Sequence, residues 1–473
     1  MMATYYVDAS SGDDSNDGLS IGSAWQTVAK VNATPAGAGF LFKRGETWRD
    51  LLLPKGSTSE VIYGDYGSGV LPRFSGADVL SQWSGAPPFY GSSPLATKPS
   101  QVFSDEVRLV ERTDCVVKLT PGEWTWCATD SSVYVRLPND EDPAGHFVEA
   151  SVRDTAIGIW GQSFVTLDGL AAVMGKSRGI ELTPGYQNPA TISDLVVRNC
   201  IAAHSRGDGL AGNSSSGALA GVTLESVKVF DNAWCGAVLF DRFSDLTVVG
   251  CEAYGNCWGD DNSFTAGIKT FSKDAARADD ITIRDNRAYD NGTGNLTAFQ
   301  VGYGVWLDIP GDRVSITDNL SYGNLNAGIQ FEYGGTLTDR LIAHNICHHN
   351  GSNGIVVSRR NHNVRVHRNT CVFNGGGNIE IAGEHPNDPD DGGARVGMFN
   401  NDVAENVCYG GALSLVARNG GENGGTLGGG NTYRDNILGP EAAGFVQWGG
   451  VGYGTVAAWE AVTGGAASGN MGG

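Results

Sequence analysis

Between Gly304 and Arg360 one short phrase is written three times: GVWLDIP from Gly304, GIQFEYG from Gly328 and GIVVSRR from Gly354. After each copy come polar residues and a second apolar run ending in Asn: VSITDN to Asn319, LIAHN to Asn345 and VRVHRN to Asn369. A repeat of roughly 24 to 26 residues without helical periodicity is the mark of a solenoid built from β-coils. Equivalent residues of successive coils then lie one above the other, about 4.8 Å apart. The predicted fold is all-β, a right-handed parallel β-helix with helical end caps and a small antiparallel β insertion.

This stacking turns the aligned phrases into columns. Counted from the glycine, residues at plus two and plus four share a face, because side chains alternate along a strand. The plus-four column, starting at GIKTFSK, reads Phe271, Asp308, Glu332, Ser358, Ala382, and the plus-two column reads Lys269, Trp306, Gln330, Val356, Glu380. Residues at plus one and plus three are mostly aliphatic and fit the coil interior. Asp308 and Glu332 are therefore expected as outward neighbours on consecutive rungs. Two carboxylates at that spacing repel, so one holds its proton to a higher pH than a free carboxyl. A retaining glycosidase needs such a pair, roughly 5 Å apart, with one group ionised as nucleophile and the other protonated as general acid.

The phrase WLD (Trp306, Leu307, Asp308), followed one coil later by FE (Phe331, Glu332) and Gly334, resembles the catalytic stretch of the parallel β-helix β-xylosidases of glycoside hydrolase family 120. The resemblance covers about thirty residues and implies Asp308 as nucleophile and Glu332 as acid/base. A wider similarity, to bacterial and phage right-handed β-helix proteins, covers most of the chain.

The columns supply neighbours for these acids. Trp306 and Tyr333 are expected to stack on a sugar ring, with Tyr303 and Trp258 extending the platform. Lys269 is placed to bond a sugar hydroxyl or to keep Asp308 ionised, and Arg359 and Arg360 come one coil after Glu332. Gln330 shares the binding face. The competing reading is a solvated acidic pair, its repulsion relieved by Lys269 or Arg359.

The 69 glycines suit a fold with several tight corners per turn. Residues 1–80 read as an N-terminal cap and first coils, 81–150 as the β-rich insertion, 151–437 as the main solenoid and 438–473 as the C-terminal cap. An amphipathic helix from about Ser23 to Asn32, with Trp25, Val28 and Val31 on one side, plugs the first coil. TVAAWEAVTG, with Val456, Trp459 and Val462 on one side, plugs the last. The insertion GEWTWCATDSSVYVRLPND is read as a cleft wall, a carbohydrate-binding module or a packing appendage. Cys115 and Cys127 lie within residues 81–150, outside the solenoid, and can pair. Cys347, Cys371 and Cys408 share one column and read as a core ladder. The repeated Asn (Asn199, Asn286, Asn319, Asn345, Asn369, Asn406, Asn436) reads as a stacked amide ladder, interrupted where Val227 and Cys251 stand.

No cofactor is required by this chemistry. Calcium is possible at Asp13, Ser15 and Asp17, whose odd spacing before Gly18 opens a calcium-type loop, although a hydrogen-bonded turn fits the same residues. His385 with Asp388, Asp390 and Asp391 has the composition of a solvated loop. Loops swell at Thr183–Thr191, Ser272–Asp280, Gly292–Tyr303 and Glu384–Asn400, the usual place for binding on a rigid scaffold.

A net charge of −20 excludes nucleic acid and anionic membranes as partners. The expected partner is a neutral or weakly charged poly- or oligosaccharide, and the oligomeric state is monomer or trimer. MMATYYVDAS has neither the basic region nor the apolar run of a signal peptide, while the fold class suggests a secreted, extracellular or virion-associated protein. Two other functions remain open: a polysaccharide lyase working through Lys269, Arg359 or Arg360 with or without calcium, and a phage tailspike or glycan-binding β-helix.

Overall fold

The computed structural model describes residues 3–115, 118–184, 191–213, 217–272, 278–293, 300–308, 310–333, 338–359, 361–382, 398–418 and 429–473. Three long sheets, of 14, 13 and 12 strands among the described residues, run the length of the chain, and each coil gives one strand to each sheet. The phrase strands Tyr303–Asp308, Ile329–Glu332 and Ile355–Ser358 belong to the 12-stranded sheet. Their second runs, Val314–Thr317, Arg340–Ala343 and Val364–His367, belong to the 14-stranded one. Short strands after the Asn, such as Ile346–His348, form the third. Pairing between successive coils is parallel and in register, the terminal hairpin Val446–Trp448 with Val451–Tyr453 being antiparallel. Alternate residues of the coil strands enter one continuous apolar core that includes Val305, Leu307, Ile329, Phe331, Ile355 and Val357.

An amide ladder does stack at the corner between the second and third strands. The Nδ2 of Asn345 donates to Ile316 O (2.9 Å) and to Asn369 Oδ1 (3.0 Å), while its own Oδ1 accepts from the N–H and Nδ2 of Asn319 (3.0 Å each). The same pattern runs from Asn286 to Asn470, and it begins where the Cys251 N–H reaches Asn286 Oδ1. Asn199 is a correction. It takes the left-handed bend (φ 54°) one residue before the column, is exposed, and donates to Asp168 Oδ1, while Cys200 fills the inward slot. A second ladder, Asn232, Asn256, Asn291, Asn324, Asn350 and Asn374, stands at the other end of the third strands. Its signal was in the sequence as Asn-x4-Asn, for instance Asn345 to Asn350. The Cys347, Cys371 and Cys408 column is in register and buried.

Both ends carry helices shorter than expected. Asp14 accepts from the N–H and hydroxyl of Thr27, keeping the backbone extended up to that residue, so the first helix starts at Val28 and ends at Ala33. Trp25 reaches the core from an extended segment bridged to Val7. In the last helix, Val456–Glu460, Val456 and Trp459 are buried, but Val462 lies beyond it and is exposed.

Between Ala77 and Ser151 two small, mainly antiparallel sheets surround their own core of Tyr90, Trp124, Val133 and Val135, with Cys115 and Cys127 joined as a disulfide. They dock on the 13-stranded sheet, through Phe103 against Met174, Ala203 and Phe230 and through Arg108 to Asp231 (3.0 Å).

The ladder predicts a sharp contrast between two asparagines. Asn345→Ala removes two donated bonds and strands the donors of Asn319, and should cost about 2–4 kcal/mol in chemical denaturation. Asn199→Ala, exposed and outside the ladder, should cost less, about 1 kcal/mol, from the lost bond to Asp168 and the left-handed backbone that alanine tolerates poorly.

Candidate active site

Register brings the two acids together. Asp308 pairs with Glu332 and Trp306 with Gln330 across neighbouring strands, Lys269 and Phe271 precede them by one rung, and Ser358 follows Glu332. Since Val305, Leu307, Ile329 and Phe331 fill the core, the alternating residues Trp306, Asp308, Gln330 and Glu332 project from the outer face of the 12-stranded sheet.

That outer face is covered. Asp308 is 8% exposed and Glu332 3%, while Trp306 is fully buried in a cluster with Ala266, Tyr303, Ala327 and Val356. The Lys269 ammonium lies 3.3 Å from the Trp306 ring centroid, and Tyr303 packs on the same indole at 4.5 Å. Trp306 and Tyr303 are thus buried against protein neighbours, while Tyr333, the second aromatic expected at the sugar, is half-buried. Trp258 is another correction: the guanidiniums of Arg108 and Arg206 lie over its ring, 4.1 and 5.5 Å from the centroid, so it belongs to the seam with the insertion. The aromatic that the sequence reading missed is Phe264, 50% exposed and 6.1 Å from Trp306. It precedes the strand and belongs to no column, so only the folded loop brings it here.

Cations flank the acids on both sides. Lys269 Nζ donates to the Phe264 carbonyl (2.9 Å) and stands 4.0 Å from Asp308 Oδ2. Arg359 Nε is 3.7 Å from Glu332 Oε2, and the Arg359 guanidinium lies over the Tyr333 ring and donates to its hydroxyl. Glu332 Oε2 also accepts from Gln330 Nε2 (2.9 Å) and Ser358 Oγ (3.4 Å). By contrast, Asp308 Oδ1 is buried without a hydrogen-bond partner among the described residues. Arg360 lies outside the described residues, as do His385, Asp388, Asp390, Asp391 and much of the four swollen loops.

Burial, and then the Glu332 charge, push the Asp308 carboxyl up to about 7, against the pull of Lys269 and Arg359. Glu332 is also raised by burial, opposed first by Arg359 and then by the Gln330 hydrogen bond. Burial lowers Lys269, which the two acids partly offset. The acids therefore titrate as a coupled pair, with the Asp308 carboxyl keeping its proton up to about 7 beside the Glu332 charge.

At the N-terminal loop the acids serve turns. Asp13 Oδ1 accepts the Ser15 N–H, and Asp17 Oδ1 accepts the Leu19 N–H and the Ser23 hydroxyl. Among the described residues, no group of three or more His, Cys, Asp or Glu is close enough to hold a metal ion.

The sequence matches the family model described as "right handed beta helix region" over residues 155–339 and 261–419, together more than half of the chain. The protein belongs to that family. No curated protein matches it. Among solved structures, XylC in complex with xylose aligns at 14% identity and a TM-score of 0.61, covering 86% of this chain and 75% of that one. The GH136 lacto-N-biosidase of Eubacterium ramulus aligns at 13% identity and a TM-score of 0.48, covering 92% of this chain and 67% of that one. At such identities the XylC likeness shows the shared fold.

Because the folded chain holds the Asp308 proton up to about 7 and an unfolded aspartate releases it near 4, this group's stabilising contribution is complete below about 4 and lost as pH rises through about 7. Asp308→Asn should therefore raise Tm at pH 8, with the gain shrinking toward pH 4.

Proposed function

We propose that this protein is a retaining glycoside hydrolase, β-xylosidase-like, acting on a neutral or weakly charged poly- or oligosaccharide. The observation that carries the reading is the in-register pair Asp308 and Glu332, both buried on the outer sheet face and differently dressed. One Asp308 oxygen has no hydrogen-bond partner among the described residues, which suits a nucleophile. Glu332 is held by Gln330, Ser358 and Arg359, which suits a group that must give and take a proton at a fixed place.

In this reading substrate binding moves the shared proton from Asp308, which holds it up to about 7 in the free protein, to Glu332. An Asp308 oxygen then attacks the anomeric carbon as the bond to the leaving oxygen breaks, and Glu332 protonates that oxygen. Glu332 then takes a proton from water, whose oxygen displaces Asp308 and releases the sugar with its configuration retained. Turnover needs one proton on the pair, so activity should fall as pH rises through about 7. Phe264, exposed at the rim, is suited to line the sugar site. The resemblance of the WLD and FE phrases to family 120 supports the same roles.

Asp308→Ala should abolish turnover without unfolding the chain, and a normal rate in that variant would end the assignment. Glu332→Ala should retain activity on aryl glycosides with good leaving groups and be rescued by azide. Aryl glycosides assayed beside a uronate polymer read by ultraviolet absorbance separate hydrolase from lyase, since only the lyase makes an unsaturated product. A tightly trimeric mass in solution with no aryl glycoside cleaved would favour the tailspike alternative.

A further inference from the structure

The Trp306 indole is the least expected feature of the site. A tryptophan beside two catalytic acids invites the role of sugar platform, yet this ring is fully buried and its surroundings belong to the protein. One neighbour is the Lys269 ammonium, 3.3 Å from the ring centroid, and another is Tyr303, 4.5 Å away. Lys269 itself is 3% exposed and carries one hydrogen bond to a carbonyl, that of Phe264. An ammonium so poorly hydrated needs support, and the electron-rich indole face supplies it.

Register explains the placement. Lys269 and Trp306 occupy the same column on consecutive rungs, with Asp308 two residues beyond Trp306 on the same strand face. A lysine on this rung, free to choose its rotamer, would extend toward water. Held on the indole, its ammonium stays 4.0 Å from Asp308 Oδ2.

We infer that Trp306 is a positioning residue: its ring is the seat that fixes the Lys269 ammonium beside Asp308, and it acts on Asp308 through that lysine without touching sugar, while its own side chain also faces Glu332 directly. The inference deepens the glycosidase reading and rests on it for its catalytic consequence. The other titratable groups facing Lys269 are Cys235, Cys257, Asp208 and Glu332, and those facing the acid pair are Arg359 and Tyr303. Burial pushes the Cys257 thiol up to about 12 and raises Cys235, so both are neutral in the working range. Asp208, pushed up to about 6 by burial, is the further acid able to share the charge of Lys269.

The test is a double-mutant cycle read by pH. Infrared titration of the protonated carboxyl band, assigned by its loss in Asp308→Asn, follows the pair without needing substrate. The pH limbs of kcat/KM on an aryl glycoside follow it in turnover. Lys269→Met should move both readouts to higher pH by about one unit or more, since it removes a cation that favours the ionised acids. Trp306→Leu should move them in the same direction, Trp306→Phe should move them less than half as far, and Trp306→Leu combined with Lys269→Met should move them no further than Lys269→Met alone. Raised KM in Trp306→Leu with unmoved titration would overturn the inference in favour of a sugar platform. Additive shifts in the double variant would overturn it as well, because the two residues would then act separately. Should Trp306→Leu fail to fold, an unmoved carboxyl titration in Lys269→Met overturns the inference by itself. If the infrared shifts occur but no glycoside is cleaved, the seat stands and the glycosidase reading falls.

Discussion

Everything in this molecule depends on parallel strands stacked in register, each residue held one rung, about 4.8 Å, from its equivalents. Backbone hydrogen bonding sets that distance, and side chains must accept it. Where like residues suit one another the repetition is stabilising: asparagines bond asparagines through two ladders, and Tyr254, Tyr289 and Tyr322 stack at 5.0 and 4.9 Å with nearly parallel rings. At Asp308 and Glu332 the same constraint forces two carboxyls together that would separate in water.

The structure meets that cost unevenly. Arg359, Gln330 and Ser358 gather on Glu332, whereas Asp308 has Lys269 at 4.0 Å and the more distant pull of Arg359, and one of its oxygens has no hydrogen-bond partner among the described residues. An unpartnered buried carboxyl oxygen costs of the order of 1–3 kcal/mol. A scaffold with an unbroken core can carry that local loss, and the rigid rungs prevent the site from relaxing it away. The acid pair is strained by the regularity that stabilises the rest of the solenoid.

The insertion and the site lie on different sheets. Phe103 and Arg108 tie the insertion to the 13-stranded sheet, while the acids project from the 12-stranded one. Of the roles considered for the insertion, its contacts match a packing appendage, and Trp258 is part of that seam, clasped by Arg108 and Arg206.

The sequence by itself determined the coil, the columns and the facing of Asp308 against Glu332. These follow from period and alternation, and a solenoid repeats its geometry from rung to rung, so counting residues is enough. It also contained the second asparagine ladder, in a spacing that counting could have found. What only the tertiary structure decided was exposure and partnership. Whether an outward face meets water or a loop depends on segments such as the one carrying Phe264, which obey no period. For that reason the alternation that puts Trp306 on the outer face does not reveal that it is buried under Lys269, and the repeat does not reveal that a left-handed residue takes Asn199 out of the asparagine column.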